Sequence, residues 1–290
     1  MPRTFELSRP PVIVVGMPYS GTGLVTELLA NGGLFTGWAP GTSTESAFFP
    51  RLSQWAFAEA GATWISPAGV RSLVDDPVTA GVAVDYFTTA CLSPRVAEYL
   101  GPIDYLRIRS LTGLARPWGW REVGGAFTIP LWLELFPDAR LVHVTRHGVD
   151  VANSIHRQTL AARRRTAIDY ERQRWRYQFL PRRARQQMTM AVADHERALD
   201  LWATYLDEAD ARLTPLGDQV LEVRFEHLLA DPQTTLKSMA AHCDLSPWIR
   251  PGATDFVQPE RSEAFLADAE LVVLSRLRSE LLERHGYHAA

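Results

Sequence analysis

The chain of 290 residues is poor in lysine and in cysteine. Of its 30 basic residues Lys237 is the only lysine, and it lies in a late amphipathic segment, so a site that needs a cation must use arginine. Cys91 and Cys243 lie far apart in the sequence, which excludes a disulfide framework or a cysteine zinc site. This cysteine usage is typical of a reducing compartment, and we expect a cytoplasmic protein.

Long hydrophobic runs are also absent. No apolar stretch approaches the ~20 residues that a membrane-spanning helix needs, and the first residues, Met-Pro-Arg-Thr-Phe-Glu, lack the pattern of a signal peptide. The net charge of −3 argues against a general nucleic-acid-binding protein. With 46% hydrophobic and 22% charged residues the composition is that of an ordinary globular protein, so we expect no membrane and no nucleic-acid partner.

Strand-like and helix-like segments alternate along the chain. Apolar runs predict strands over Pro11 to Val15, Arg140 to Thr145 and Gln219 to Arg224, an extended segment over Trp118 to Val123, and a strand over Ile103 to Arg109. Helices are predicted over 24–30, 47–60, 66–75, 78–100, 126–136, 149–158, 190–212, 233–243 and 265–285. No repeat or linker interrupts the alternation. The sequence therefore predicts one α/β domain over residues 1–290, with a parallel sheet covered by helices.

A glycine-containing loop follows the first strand and opens a helix. Its sequence is Gly16-Met17-Pro18-Tyr19-Ser20-Gly21-Thr22-Gly23, and this context is the one that a phosphate-binding loop requires, because backbone N–H groups at a helix N-terminus bind anions. The two glycines Gly16 and Gly21 have the spacing of a Walker A loop, but Thr22-Gly23 stands where that loop has Lys followed by Ser or Thr. The missing lysine argues against a nucleotide triphosphatase or a kinase. A turn without a ligand stays open as the alternative.

A second segment has the residues of a phosphate site at the end of a later strand. Arg146 ends the strand over 140–145, and Ser154 follows eight residues later in the next predicted helix, with Asp150 between them. Ligands of α/β proteins bind at the carboxyl ends of parallel strands, and an arginine with a hydroxyl group suits a phosphate. The alternative is a surface Arg146 and a helix-capping Asp150.

Together the two motifs resemble those of sulfotransferases that use 3′-phosphoadenosine 5′-phosphosulfate (PAPS). Gly-Met-Pro-Tyr-Ser-Gly-Thr resembles the 5′-phosphosulfate loop of that family, and the pair Arg146 and Ser154 resembles its 3′-phosphate site. Trp118–Val123 resembles the Trp-Gly-x-Lys-Asp-Pro strand of bacterial members. The segment from Arg224 to Leu228, with Asp231-Pro232 after it, resembles their Tyr-Glu-Asp-Leu…Asp-Pro segment. The resemblance covers roughly residues 11–245.

The resemblance implies a P-loop sulfotransferase fold and a cytoplasmic enzyme. Such an enzyme moves the sulfuryl group of PAPS to a hydroxyl or amine of a small-molecule acceptor, needs no metal, and releases 3′,5′-adenosine bisphosphate. The resemblance assigns nucleotide binding to the loop, to the second motif and to a late loop: Gly16, Pro18, Tyr19, Ser20, Gly21, Thr22, Gly23, Arg146, Ser154 and Arg261. Neither the acceptor nor the oligomeric state follows from the sequence.

Tyr19 departs from the family pattern, which has Lys or Arg at its position. Arg121, at the position of the lysine in Trp-Gly-x-Lys, can supply the missing cation, because arginine is always charged. A protein that binds the nucleotide without transferring a sulfuryl group, or that uses the pocket for other chemistry, stays open as the alternative. As the base that takes the acceptor's proton we expect Glu122 or Glu45, with His147 third.

Ten arginines and two acids lie between residues 157 and 185, among interleaved aromatic residues. The stretch predicts either a solvated helix or an arginine-lined lid that attracts an anionic cofactor or acceptor. A nucleic-acid face has the same composition, but the acidic net charge of the chain argues against it.

Overall fold

The computed structural model describes residues 7–39, 45–180, 190–245, 254 and 257–290. Contacts divide the chain into two compact units, the first of Met1–Arg146 with Tyr205–Ser262 and the second of His147–Thr204 with Glu263–Ala290. The interpretation of residues 1–290 as one domain stays a prediction. Among the described residues, no helix is both long and apolar enough to cross a membrane.

The first unit is built on a sheet of four parallel strands in the order β2-β1-β3-β4. The strands are β1 (Val12–Val15), β2 (Gly119–Arg121), β3 (Arg140–Thr145) and β4 (Val220–Arg224). Because all four run the same way, their carboxyl ends meet at one edge of the sheet, where Thr145 pairs with Arg224. The predicted fold class, a parallel sheet flanked by helices, is confirmed.

Helices follow or connect these strands. Those of the first unit are α1 (Thr22–Asn31), α2 (Phe48–Glu59), α3 (Ala68–Asp75), α4 (Pro77–Leu92), α5 (Ala97–Ile108), α6 (Ile129–Leu135), α9 (Phe225–Ala230) and α10 (Pro232–His242). Those of the second are α7 (Gly148–Gln173), α11 (Ala269–Leu277) and α12 (Ser279–Arg284), while α8 (His195–Leu213) runs from the second unit into the first.

The side chains of β1 alternate between two hydrophobic cores, one on each face of the sheet. Ile13 and Val15 pack in a core with residues of α2, α4 and α6. Val12 and Val14 pack in the other core with residues of α1 and α10. Since both faces are covered, the edge formed by the strands' carboxyl ends is where the sheet offers its backbone and polar residues to a ligand.

The predicted strand over Ile103 to Arg109 is wrong, because these residues form the end of α5 and the turn after it. Gly101 has a φ of +76° and Pro102 follows it, so one helical turn ends there and a new one begins. Ile103 and Leu106 are 69% and 72% exposed, so they lie on a helix surface and not in a buried strand.

The arginine-rich stretch begins in the second unit as a helix. The helix predicted over 149–158 extends to Gln173 in α7, and a short 3-10 helix, Arg174–Gln178, follows it. Arg163, Arg164 and Arg165 are exposed. The last three arginines of the stretch, Arg182, Arg183 and Arg185, lie outside the described residues.

A buried carboxylate holds two helices to the end of β2. Glu122 directly follows β2 and is 1% exposed. Its carboxylate accepts hydrogen bonds from Ser53 Oγ in α2 (2.8 Å), Trp132 Nε1 in α6 (2.8 Å), the Gly124 N–H (2.8 Å) and Trp120 Nε1 (3.3 Å). Burial raises the pKa of this carboxyl above its ordinary value, although the hydrogen bonds from Gly124, Ser53 and Trp120 oppose the shift.

We expect this carboxyl to make stability depend on pH. The unfolded chain releases the Glu122 proton near the ordinary value of 4.5 and the folded chain only at higher pH, so ionisation favours the unfolded state. The free energy of unfolding of the wild type should therefore fall, relative to Glu122→Gln, as the pH rises above that value. Urea denaturation between pH 4 and pH 8 measures the difference.

The matched control is Glu134→Gln, an exposed glutamate of α6, which should follow the wild type at every pH. Glu122→Ala, which leaves buried donors without an acceptor, should lower the free energy of unfolding by about 3 kcal/mol. A constant difference between the wild type and Glu122→Gln across this range would contradict the expected titration.

Candidate functional site

The turn between β1 and α1 brings the backbone close to the end of the sheet. A Cβ on Gly16 would lie 2.6 Å from the Val144 carbonyl oxygen of β3, so only glycine fits there. Tyr19 and Gly21 have φ angles of +74° and +101°, and Gly21 is the residue that caps α1. A left-handed conformation at a bulky residue such as Tyr19 is strained, which marks the turn as one that the surrounding structure enforces.

The buried Ser20 stabilises this turn by hydrogen bonds within it. Its side chain is 2% exposed, its Oγ donates a hydrogen bond to the Met17 carbonyl (2.7 Å), and its N–H donates to the same carbonyl (3.1 Å). Thr22 and Gly23 then begin α1. The first N–H groups of a helix have no partner within that helix, so the segment from Gly21 onwards presents donors and the positive end of the helix dipole, which suit a phosphate or sulfate group.

Arg146 follows β3 and joins this turn to a segment late in the chain. Its side chain is buried, at 4% exposure. Its Nη1 donates to the Tyr19 carbonyl (3.4 Å), and its Nη2 donates to the Arg261 carbonyl (3.0 Å). The structure thus brings together three segments that the sequence analysis assigned to one nucleotide site.

Phe225 is a central residue of this cluster that the sequence analysis did not single out. It begins α9 directly after β4, and its side chain is fully buried. A Cβ on Gly21 would lie 2.2 Å from Phe225 Cδ2, so the turn rests on this ring. The guanidinium carbons of Arg146 and Arg261 lie 4.6 Å and 5.9 Å from the ring centroid, at distances typical of cation–π contacts. Its place at the carboxyl end of a parallel strand was the available signal.

A half-exposed ion pair lies at the other end of the turn. Arg121 Nε, at the end of β2, lies 3.0 Å from Glu45 Oε2. The side chains are 38% and 18% exposed. Arg121 Nη1 lies 3.9 Å from the position that a Cβ on Gly23 would occupy, so the guanidinium group stands beside the first turn of α1.

The two glutamates expected as bases have different surroundings. Glu122 has its carboxylate enclosed by Ser53, Trp132 and the Gly124 N–H, and it is 1% exposed. Glu45 is partly exposed beside Arg121. Glu45 is therefore the one of the pair that has an accessible carboxylate next to a cation.

His147 and Ser154 belong to the second unit. His147 is buried, its Nδ1 accepts a hydrogen bond from the Val149 N–H (3.3 Å), and its ring stacks on Phe265 at 4.4 Å between centroids. Ser154 Oγ, in α7, donates to the Asp150 carbonyl (2.8 Å). His147 thus caps a helix, and the joint action of Ser154 and Arg146 on one phosphate stays a prediction.

The ring of Tyr19 lies near a second aromatic ring, that of Trp64. The ring centroids of Tyr19 and Trp64 are 6.0 Å apart with the planes inclined at 56°. Tyr19 is 36% exposed, and partial burial raises the pKa of its phenol above the ordinary value of 10.0. The phenol is therefore neutral at pH 7 and can donate a hydrogen bond to an anion without repelling it.

Known proteins resemble this chain in sequence and in fold. The model of the sulfotransferase family matches residues 10–250. Among solved structures, the sulfotransferase domain from the curacin biosynthetic pathway has a TM-score of 0.50 and 12% identity, with coverage of 97% of this chain and 99% of that chain. The sulfotransferase domain of the Synechococcus PCC 7002 olefin synthase has a TM-score of 0.44 and 16% identity over 93% of this chain and 88% of its own.

A curated relative is an uncharacterized protein of Aquifex aeolicus (strain VF5), 24% identical over 247 residues. The match covers 83% of this chain but only 26% of that protein, so the chain spans about a quarter of the relative's length. The curacin-pathway domain supports the α/β fold alone, because its identity to this chain is low. The match to the family model extends over most of the chain, from before β1 to beyond α10, and the chain therefore belongs to the sulfotransferase family.

Proposed function

We propose that this protein transfers the sulfuryl group of PAPS to a hydroxyl or amine of a small-molecule acceptor, without a metal. The observation that carries the proposal is the contact of Arg146 with the backbone of the turn at Tyr19, across 127 residues of sequence. The turn and Arg146 together offer a helix N-terminus for one anionic group and a buried guanidinium group for another. A nucleotide with phosphates at both its 5′ and 3′ positions needs this combination.

The residues of the cluster fit such a nucleotide by their chemistry. In the proposal the 5′-phosphosulfate is held by the turn of residues 16–23, chiefly by Gly16, Pro18, Tyr19, Ser20, Gly21, Thr22 and Gly23. The 3′-phosphate is held by Arg146 and Arg261, and Ser154, in the second unit, is added as a ligand only by the resemblance of the sequence motif. When bound, PAPS supplies the sulfuryl group and becomes 3′,5′-adenosine bisphosphate.

Arg121 and Glu45 have the positions to assist the transfer. Negative charge grows on the oxygen that leaves the sulfur, and a fixed cation beside it lowers the barrier. Arg121 is the cation next to Gly23, and Tyr19 adds a neutral hydrogen-bond donor. Glu45 takes the proton from the acceptor, while the enclosed Glu122 keeps the end of β2, and with it Arg121, in place.

A second candidate function rests on Tyr19. The resemblance expects a lysine or arginine at this position, and a phenol carries no charge. A protein that binds adenosine bisphosphate without transferring a sulfuryl group would retain the Arg146 cluster and lack the cation that the family pattern has at position 19. The cytoplasmic setting and the absence of nucleic-acid and membrane partners belong to both candidates as predictions.

The nucleotide site is tested by calorimetric titration with 3′,5′-adenosine bisphosphate in the absence of metal. Arg146→Ala should raise the dissociation constant by about 30-fold or more, because it removes a buried charge from the phosphate. It should also abolish the preference for the bisphosphate over adenosine 5′-monophosphate, which lacks the 3′-phosphate.

The matched control is Arg107→Ala, an exposed arginine of α5 in the same unit, which should bind both nucleotides as the wild type does. A wild type that does not bind the bisphosphate would overturn the proposal. If Arg146→Ala keeps the preference for the bisphosphate, Arg146 is not the residue that binds the 3′-phosphate.

Transfer itself is tested with radiolabelled PAPS and a panel of phenols, alcohols and amines. Glu45→Gln should lower kcat by about 100-fold, the usual contribution of a general base, while the affinity for adenosine bisphosphate changes little. The exposed Glu134→Gln serves as the control and should keep full activity. Binding of the nucleotide without turnover on any acceptor would favour the second candidate.

A further inference from the structure

Helix α4 is predominantly apolar, yet one of its faces is exposed. Asp85 is the only charged residue among its 16 positions. A helix that is apolar all round is normally buried, but the side chains of Val78, Val82 and Leu92 in α4 are 73%, 60% and 53% exposed. An exposed apolar face of this kind is typical of a surface that another molecule covers.

A groove of about 680 Å³ runs along α4, between this helix, α6 and the end of α3. Most of its lining is apolar. The charged residues among the described residues that line it are Asp75, Asp85 and Glu134, and all three are acidic. Asp75 pairs with Arg212, whereas Asp85 and Glu134 are exposed and form no ion pair with the described part of the chain. The groove is therefore both apolar and negatively charged.

Gly81 lies in the lining of this groove, although the fold does not require a glycine there. A Cβ on Gly81 would have no atom within 4 Å, apart from the backbone of its own helix. Glycine weakens a helix relative to alanine, so this position carries a cost without a benefit in the described chain. A glycine on an exposed helix face lets a group from another molecule approach the backbone closely.

The arginine-rich end of the second unit has the composition that suits this groove. We call residues 163–180 the arginine arm, which comprises the end of α7 and the 3-10 helix after it. The arm contains six arginines and two acids. Its exposed apolar side chains include Ile168, Trp175 and Phe179, at 59%, 65% and 78% exposure. Arginine and aromatic residues are the ones enriched at the centre of protein interfaces.

We propose that this protein self-associates, with the arginine arm of one copy bound in the groove of a second copy. The groove supplies acidic side chains and an apolar floor, and the arm supplies arginines and exposed apolar side chains. Charge and apolar surface are therefore complementary between the two faces. Reciprocal exchange between two copies forms this contact twice and closes a dimer. Self-association of this kind does not depend on the proposed sulfuryl transfer.

Sedimentation velocity of the full chain tests the proposal. The wild type should form dimers at protein concentrations up to about 100 μM, where a dimer of micromolar affinity is populated, and added salt should weaken them. Gly81→Arg should raise the dissociation constant of the dimer about tenfold or more, because it fills the groove and places a positive charge against the arm. Gly81→Ala is the matched control, and it should dimerise as the wild type does.

A variant of the arm tests the other side of the contact. Arg163, Arg164 and Arg165 are exposed, and their joint substitution by glutamate should also leave the protein monomeric. A mixture of this arm variant with Gly81→Arg should associate again, because the first keeps an intact groove and the second keeps an intact arm. Recovery in the mixture also verifies that both variants fold.

The control for changes of surface charge and apolarity is the double variant Leu106→Ser, Arg107→Glu, on the exposed face of α5, which should dimerise as the wild type does. A wild type that stays monomeric at every concentration would overturn the proposal. A dimer that survives in Gly81→Arg points to another surface than the groove, and one that survives in the arm variant points to another surface than the arm. Either result, or a mixture that stays monomeric, would also overturn it.

Discussion

The arrangement of the candidate site depends on one buried guanidinium group. Arg146 stands where β3 ends, at the edge to which all four strands of the parallel sheet point. From there it donates hydrogen bonds to the carbonyls of Tyr19 and Arg261 and lies over the ring of Phe225. A buried charge is costly unless polar groups surround it, and here two backbone carbonyls and an aromatic ring surround the guanidinium group. In the proposed function, a phosphate group of the nucleotide adds the opposite charge to this cluster.

At the same edge of the sheet, two adjacent residues at the end of β2, Arg121 and Glu122, have different surroundings. Successive side chains of an extended segment point to opposite sides. Arg121 accordingly lies beside Glu45 and the first turn of α1, whereas Glu122 is enclosed by α2 and α6. The buried carboxylate anchors the backbone at the end of β2, and the partly exposed Arg121 next to it forms the ion pair with Glu45. An enzyme that needs a precisely placed charge benefits from such a rigid support.

The features that could be predicted from the sequence are those that depend on local pattern and on strand order. The strand–turn–helix at residues 12–31 and Arg146 at the end of a strand follow from short-range signals, and their meeting follows from the rule for parallel sheets. Phe225 and Trp64 were missed because their contacts with Gly21 and Tyr19 join segments distant in sequence. The strand expected at Ile103 failed because its apolar residues lie exposed on a helix.

The most direct test of the account is a crystal structure of the protein with 3′,5′-adenosine bisphosphate. The account predicts the 5′-phosphate on the backbone N–H groups of the turn from Tyr19 to Gly23, and the 3′-phosphate on Arg146. It also predicts that the φ of Tyr19 stays positive and that the ring of Phe225 stays beneath the guanidinium group. A nucleotide bound elsewhere, or one whose phosphates avoid both the turn and Arg146, would contradict the account.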